Sequence, residues 1–332
     1  MAALDPASRP ATPASPAPPR WRGWLVLVVI VALALVLPAV LPVFRLKLLG
    51  RFLSLGIAAL GIDLIWGFTG LLSLGQGIFF ALGGYAVAMN LQLINLEPGQ
   101  LPEFFGLYGV SELPAFWQPF NSPLFTVLAI WVIPALVAGV LGFLVFRNRI
   151  KGVYFSILTQ ASLLVFFNLF NGQQRLINGT NGLKTETAVI FGQQVGSDPM
   201  QRYLFWLSVL LVVLAFLLCR WLTRGRFGDA LIAIRDDEPR LRFTGYNPTA
   251  YKTLVFAIAG ALAGISGALF TVQSGIVSPQ FMAVPFSIEM VIWVAVGGRG
   301  TLIGAVLGAV LINYAKSLVS EALPETWLFI QG

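Results

Sequence analysis

The chain has 332 residues, 57% of them apolar and only 11% charged; a soluble domain carries about 25% charged residues, so this one lacks the polar surface to coat itself and a soluble fold is excluded. It has no histidine and one cysteine, Cys219, which removes the usual near-neutral proton carrier, the commonest metal ligand, an internal disulfide and a thiolate cluster. The formal net charge is +7, but the basic residues are interleaved with apolar runs rather than gathered on one soluble face, so nucleic acid is a poor partner.

Residues 1–22 are rich in Pro, Ala and Ser and have no apolar period, which predicts a disordered N-terminal segment. From Trp24 onward, apolar runs near the length that crosses a bilayer core recur along the chain. They predict helices at 24–44, 50–68, 74–94, 123–146, 152–170, 203–222, 249–272 and 300–319, with a shorter one at 286–297. The fold class is thus all-α, a polytopic membrane bundle of about 9–10 transmembrane helices occupying residues 23–332. The runs are continuous, unlike the short alternating segments of a β-barrel. The first run lacks a small-residue cleavage site and reads as a retained helix, bent or ended by Pro38 and Pro42. The closing "ETWLFIQG" reads as the first turn of one more helix.

Lys and Arg in short loops orient such a chain. With the N-terminus inside, 14 bases fall on cytoplasmic segments and six on the opposite side, and the outer loop 95–122 has Glu97, Glu103 and Glu112 but no base. Arg45, Lys47 and Arg51 run against this rule.

One segment stands apart. "RGRFGDALIAIRDDEPRLRFTGYNP", within a cytoplasmic stretch 223–247, holds nine of the chain's 35 charged residues between Arg224 and Arg242. Phe227, Ala230, Leu231 and Ile234 recur at i, i+3, i+4 and i+7, one face of a short helix, while Asp229, Arg235 and Asp236 point elsewhere. Pro239 is placed to begin a second short helix, Gly245 to close it, and Asn247-Pro248 to cap the next membrane helix. Two readings follow. The segment is either a helix lying on the membrane surface or a helix whose apolar face docks in another protein's groove. Its mixed charges favour the second, because Asp229, Asp236, Asp237 and Glu238 are repelled by anionic lipid.

Inside the apolar runs, Asp63, Glu289 and Lys316 are charged, and such residues usually face protein or water. Glu289 follows a broken region with Pro279 and Pro285; irregular backbone at membrane depth is tolerated where it is buried or lines a cavity. "TGLLSLGQGIFFALGGYA" has the glycines of a kinked or unwound helix start, with Ser73 and Gln76 among them. Gly260-x-x-x-Gly264 and Gly300-x-x-x-Gly304-x-x-x-Gly308 are small-residue faces suited to helix packing. No Walker A pattern, GxGxxG, CxxC, HExxH or GxSxG occurs. There are no catalytic or metal-ligating candidates, and any ATP used must be bound by another chain.

"GLLSLGQGIFFALGGYA", "FGDALIAIRDDEPRLRFTGYNPTAYKTLVFAIAGALAGISGALF" and "FSIEMVIWVAVGGRGTLIGAVLGA", in that order over about residues 50–332, resemble the branched-chain amino acid/urea permease family of ABC importers. "NGTNGL" and "GGRGTLIGAVLGAVL" look most like the urea branch. The resemblance implies a permease subunit of the bacterial inner membrane that forms half of a translocation pathway. Its expected partners are a second homologous permease, two ATP-binding subunits carrying ATP and Mg, and a periplasmic substrate-binding protein; this chain itself binds no cofactor. The charged island then corresponds to the ATPase-coupling segment: Arg224, Arg226, Phe227, Asp229, Ala230, Leu231, Ile234, Arg235 and Asp236, with the apolar members seated in the ATPase groove. Ser73, Gln76, Ser287 and Glu289 are the candidates for the solute pathway. Urea is the expected solute, a branched-chain amino acid the alternative, and a passive urea or small-amide channel the reading from another class.

Overall fold

The computed structural model describes residues 40–322 apart from 98 and 191, together with 32 and 36–38. The segments 1–22 and 323–332, and most of the helix predicted over 24–44, lie outside the described residues.

Nine helices of 14 residues or more organise the described chain: α1 (Val43–Thr69), α2 (Gln76–Leu93), α3 (Pro123–Arg147), α4 (Val153–Gly172), α5 (Asp198–Arg224), α6 (Arg226–Phe243), α7 (Pro248–Ser274), α8 (Val284–Gly297) and α9 (Ile303–Ala322). Six of them, α1, α3, α4, α5, α7 and α9, are long and apolar enough to cross a membrane. With α2 and the shorter α8 they are the counterparts of the remaining eight predicted membrane segments, and α6 is the charged island.

The caps explain the boundaries. Ser122 accepts a hydrogen bond from the Phe125 N–H with Pro123 in the first turn of α3, and Asn247 accepts from the Thr249 N–H (3.1 Å) with Pro248 in the first turn of α7. Gly70 and Gly275 end α1 and α7 in the left-handed conformation that favours glycine. The start of α1 departs furthest from expectation. α1 starts at Val43 rather than near 50, because Pro42 is extended (φ −61°, ψ 148°) and nothing after it interrupts the helix. Arg45, Lys47 and Arg51 therefore ride on α1. Arg45 makes a bidentate pair with Glu321 (3.0 and 2.8 Å), and Arg51 donates twice to the Gln273 carbonyl in the last turn of α7 (3.1 and 2.9 Å), where the helix dipole favours a cation. Two of the three bases that broke the charge rule are thus held by protein groups.

α7 is the central post, packed against α1, α2 and α3, while α1 also carries α5 and α9. The predicted glycine faces make this possible: a side chain at Gly264 would strike the Ile130 carbonyl and Pro134 of α3, and one at Gly83 of α2 would strike the Gly264 carbonyl. Gly304 and Gly308 seat α9 on α8 in the same way, but Gly300 lies in the loop before α9. At the end of the bundle away from α6, β1 (Leu183–Lys184) pairs antiparallel with β4 (Ile276–Val277), and β2 (Val189–Ile190) with β3 (Gln193–Gln194). Phe104, Phe105, Trp117 and Phe120 are buried there from the loop between α2 and α3.

Candidate functional site

Two places in the bundle combine irregular backbone or buried charge with residues singled out above: the island at one end, and a pair of helix breaks in the middle.

The island folds as two helices across a kink at Asp237 (φ −156°, ψ 85°). Asp237 caps the second by accepting from the Arg240 N–H (3.1 Å), which puts Pro239 in its first turn, and Gly245 (φ +86°) closes it. The first helix carries the predicted apolar face, but that face turns inward. Ala230, Leu231 and Ile234 are 6%, 0% and 5% exposed. Leu231 and Ile234 belong to a core cluster with Ile57 and Leu64 of α1, Phe216 and Cys219 of α5 and Val255 of α7, and Phe227 stacks on Tyr251 (5.5 Å). This corrects the expectation that these residues seat in a partner's groove. The apolar period marks burial, and the burial is satisfied within this chain. Arg224, Arg226, Asp229, Arg235 and Asp236 stay exposed. Arg235 also donates to the Gly67 carbonyl near the end of α1 (3.1 Å) and pairs with Asp236 (3.0 Å).

The second half of the island is locked by a carboxylate that the motif reading passed over. Glu238, 7% exposed, accepts from Lys252 of α7 at 3.2 Å through both oxygens and from Arg242 at 2.7 Å, and pairs with Lys151 of the α3–α4 loop at 3.2 Å. Lys252 is fully buried and lies over the Phe146 ring (5.0 Å). Burial alone would push the Glu238 carboxyl up, but hydrogen bonds and charge from Arg242, Lys252 and Lys151 outweigh it and hold it below the ordinary carboxylate value.

In the middle of the bundle the chain is unwound at 70–75, between α1 and α2, and again at 275–283, between α7 and α8, apart from a two-residue strand and one 3-10 turn. α4 supports the first break. Ser156 donates to the Leu72 carbonyl (2.6 Å) and Thr159 accepts from the Leu74 N–H (3.0 Å). Thr159 lies about 9 Å along α4 from its first residue, at 1.5 Å per residue, so the first break climbs well into the bundle before α2 begins. The second break enters from the opposite end, and the two meet where the Gly77 N–H donates to the Ser287 hydroxyl (3.1 Å). A side chain at Gly77 would strike the Phe281 carbonyl and Ser287.

Of the four pathway candidates, Ser287 makes this junction, Gln76 is the residue before Gly77 and Ser73 lies in the first break; Ser73, Gln76 and Ser287 are 3%, 2% and 1% exposed. Glu289 is not with them. It pairs with Lys316 of α9 (3.1 and 3.2 Å) at a half-buried position. Asp63 is fully buried and accepts from the Gly300 and Leu302 N–H groups, holding the loop between α8 and α9. An apolar groove of about 870 Å³ between α3, α5 and α7, lined by residues such as Trp131, Leu207 and Leu269, contains none of the pathway candidates.

Residues 44–332 match the family model described as branched-chain amino acid transport system / permease component. The chain is 29% identical over 298 residues to the high-affinity branched-chain amino acid transport system permease protein LivM of Salmonella typhimurium LT2 and, equally, to LivM of Escherichia coli K12; each alignment covers 83% of this chain and 64% of the relative, just under two thirds of its length. It is 27% identical over 297 residues to the autoinducer 2 import system permease protein LsrC of Yersinia enterocolitica, covering 86% of this chain and 78% of the relative. No solved structure gives a significant match.

Proposed function

The chain belongs to the branched-chain amino acid transport system permease family, and from that premise we propose that it is the permease subunit of an ATP-driven importer of branched-chain amino acids. The family match over residues 44–332 carries this reading. The urea reading finds no support in the three relatives described above, two of which are named for branched-chain amino acids, and the amino-acid alternative replaces it. The partners are a second permease, two ATPase subunits that bind ATP and Mg, and a periplasmic binding protein, at the bacterial inner membrane with the N-terminus and α6 in the cytoplasm. A passive channel has no use for a docking segment, and strict ATP dependence of uptake separates the two.

In this reading α6 couples to the ATPase through its outer surface rather than its apolar face. Arg226, Asp229 and Asp236 are exposed on it and supply the charge register of a docking surface, while Leu231 and Ile234 fasten it to the bundle. The test is uptake of labelled leucine and labelled urea by the assembled importer in ATP-loaded proteoliposomes, with Arg226→Glu/Asp229→Lys as the docking variant. ATP-dependent leucine uptake, lost in the variant together with copurification of the ATPases, is the expected result. Urea uptake without leucine uptake refutes the substrate, and full activity of the variant refutes the docking surface.

A further inference from the structure

The junction of the two helix breaks has an electrostatic property that its packing does not explain. The first turns of α2 and α8 touch at Gly77 and Ser287. Each helix start carries roughly half a positive charge from its unpaired N–H groups, so two positive ends are brought together in a buried place. Neither first turn contains an acidic residue, and neither N-cap residue, Gly75 or Ala283, contributes a side-chain bond; the Ser287 hydroxyl on Gly77 is neutral. The acids at membrane depth are occupied elsewhere, Asp63 by the Gly300 and Leu302 N–H groups and Glu289 by Lys316. The first residue of α2 is Gln76, 2% exposed, and both polar atoms of its side chain are buried with no partner. Leaving a buried amide unpaired costs about 1–3 kcal/mol. An unsatisfied donor and acceptor thus sit in the first turn of α2, one residue before the Gly77–Ser287 contact, where two positive helix ends meet with no anion of their own.

We propose that the meeting point of α2 and α8, with Gln76 as donor, binds the carboxylate of the transported amino acid. This rests on the amino-acid permease reading above. Discontinuous membrane helices whose starts face an anionic group are a general solution for solute binding at mid-depth, and here two starts converge on one point. The side-chain amide of Gln76 supplies hydrogen bonds to a carboxylate oxygen, the Gly77 N–H joins it once it leaves the Ser287 hydroxyl, and the two dipoles supply the compensating charge. Urea, which has no net charge, would gain less from the two dipoles than a carboxylate does. The junction is closed in this structure, so a solute reaches it only when its cover moves. α4, whose Ser156 and Thr159 hold the first break while most of its surface lies outside the bundle, is the part of that cover with least to lose by moving.

The experiment uses the whole importer, purified and reconstituted, with labelled leucine and labelled urea as probes and two variants, Gln76→Glu and Gln76→Leu. Gln76→Glu places a carboxylate where the solute's would sit. It is expected to abolish leucine uptake while raising the melting temperature of the assembled complex, because the converging helix ends then have an anion. A glutamine that merely fills space predicts the reverse, a lowered melting temperature from a buried charge, and that result overturns the proposal. Gln76→Leu keeps the bulk without the hydrogen bonds and is expected to weaken half-saturation by leucine about tenfold or more, the equivalent of one charged hydrogen bond. If the wild type carries leucine and Gln76→Leu carries it equally well, the carboxylate site is wrong and the permease reading stands. If the wild type carries urea and no leucine, both fall together.

Discussion

Replacing Glu238 by glutamine removes the carboxylate shared by Lys252, Arg242 and Lys151 and leaves a fully buried ammonium without a counter-ion. Breaking a buried ion pair from one side costs about 3–5 kcal/mol. Three features place this case at the low end. Glutamine keeps a dipole toward Lys252, the Phe146 ring 5.0 Å away still attracts the ammonium, and Arg242 and Lys151 are exposed enough to recover water. A loss of about 3 kcal/mol is expected. Lys252→Met costs less, about 1–2 kcal/mol, because Glu238 keeps Arg242 at 2.7 Å and Lys151 at 3.2 Å. In the double variant the buried charge is gone, so its loss should resemble that of Lys252→Met alone, a coupling of about 3 kcal/mol. Reversible unfolding in mixed micelles, followed by tryptophan fluorescence, reads all four species. Single-variant losses that add to within about 0.5 kcal/mol would refute the pairing. The pH dependence has a definite sign. The folded-state carboxyl lies below its ordinary value, so the stabilisation is complete above the unfolded pKa of about 4.3 and is lost as pH falls through the folded value. The deficit of Glu238→Gln relative to wild type should be flat from about pH 6 to 8 and shrink below about pH 4.

Asp63→Asn should cost about 2 kcal/mol in the same unfolding assay, because one of the two N–H donors of the α8–α9 loop then faces an amide donor. Arg51→Met, which removes two hydrogen bonds to the Gln273 carbonyl, should cost about 1.5–3 kcal/mol, whereas Arg45→Ala, breaking a half-exposed pair with Glu321, should cost under about 1 kcal/mol; equal losses would refute the distinction. Leu231→Asp should abolish folding of the chain itself, seen as loss of monodisperse protein in detergent even without partners, since Leu231 is fully buried.

The membrane segments were legible because apolar length and capping residues are local. Asn247-Pro248 marks the start of α7 and Gly70 the end of α1 wherever the helices go. The island's division into two helices and the existence of its apolar stripe were legible for the same reason. What the stripe packs against was not, because an i, i+3, i+4, i+7 pattern reports that a face is buried without naming the surface that buries it. Leu231 and Ile234 found α1, α5 and α7 of their own chain. Glu289 and Lys316 were each conspicuous as charges in apolar runs, but their pairing needed the contact between α8 and α9. Glu238 was lost among the charges around it, and Lys252 was counted only as a cytoplasmic base in the first turn of α7. The Gly77–Ser287 contact joins residues 210 positions apart, and no local pattern encodes it.

The fastenings of α6 and the closed junction form one mechanical arrangement under the proposed function. Arg235 grips the Gly67 carbonyl near the end of α1, immediately before the break at 70–75 that leads to α2. Glu238 grips Lys252 near the start of α7, whose far end leads into the break at 275–283 and then α8. The first grip sits on the first helix of the island and the second just beyond its kink at Asp237. A push on the outer surface of α6 therefore reaches α1 and α7 both through these two polar grips and through the packing of Phe227, Leu231 and Ile234, and the chain carries each displacement to one side of the junction at Gly77 and Ser287. Opening that junction requires the two helix starts to part. The polar grips on α1 and on α7 lie on opposite sides of the kink, so a change of angle at Asp237 moves one relative to the other.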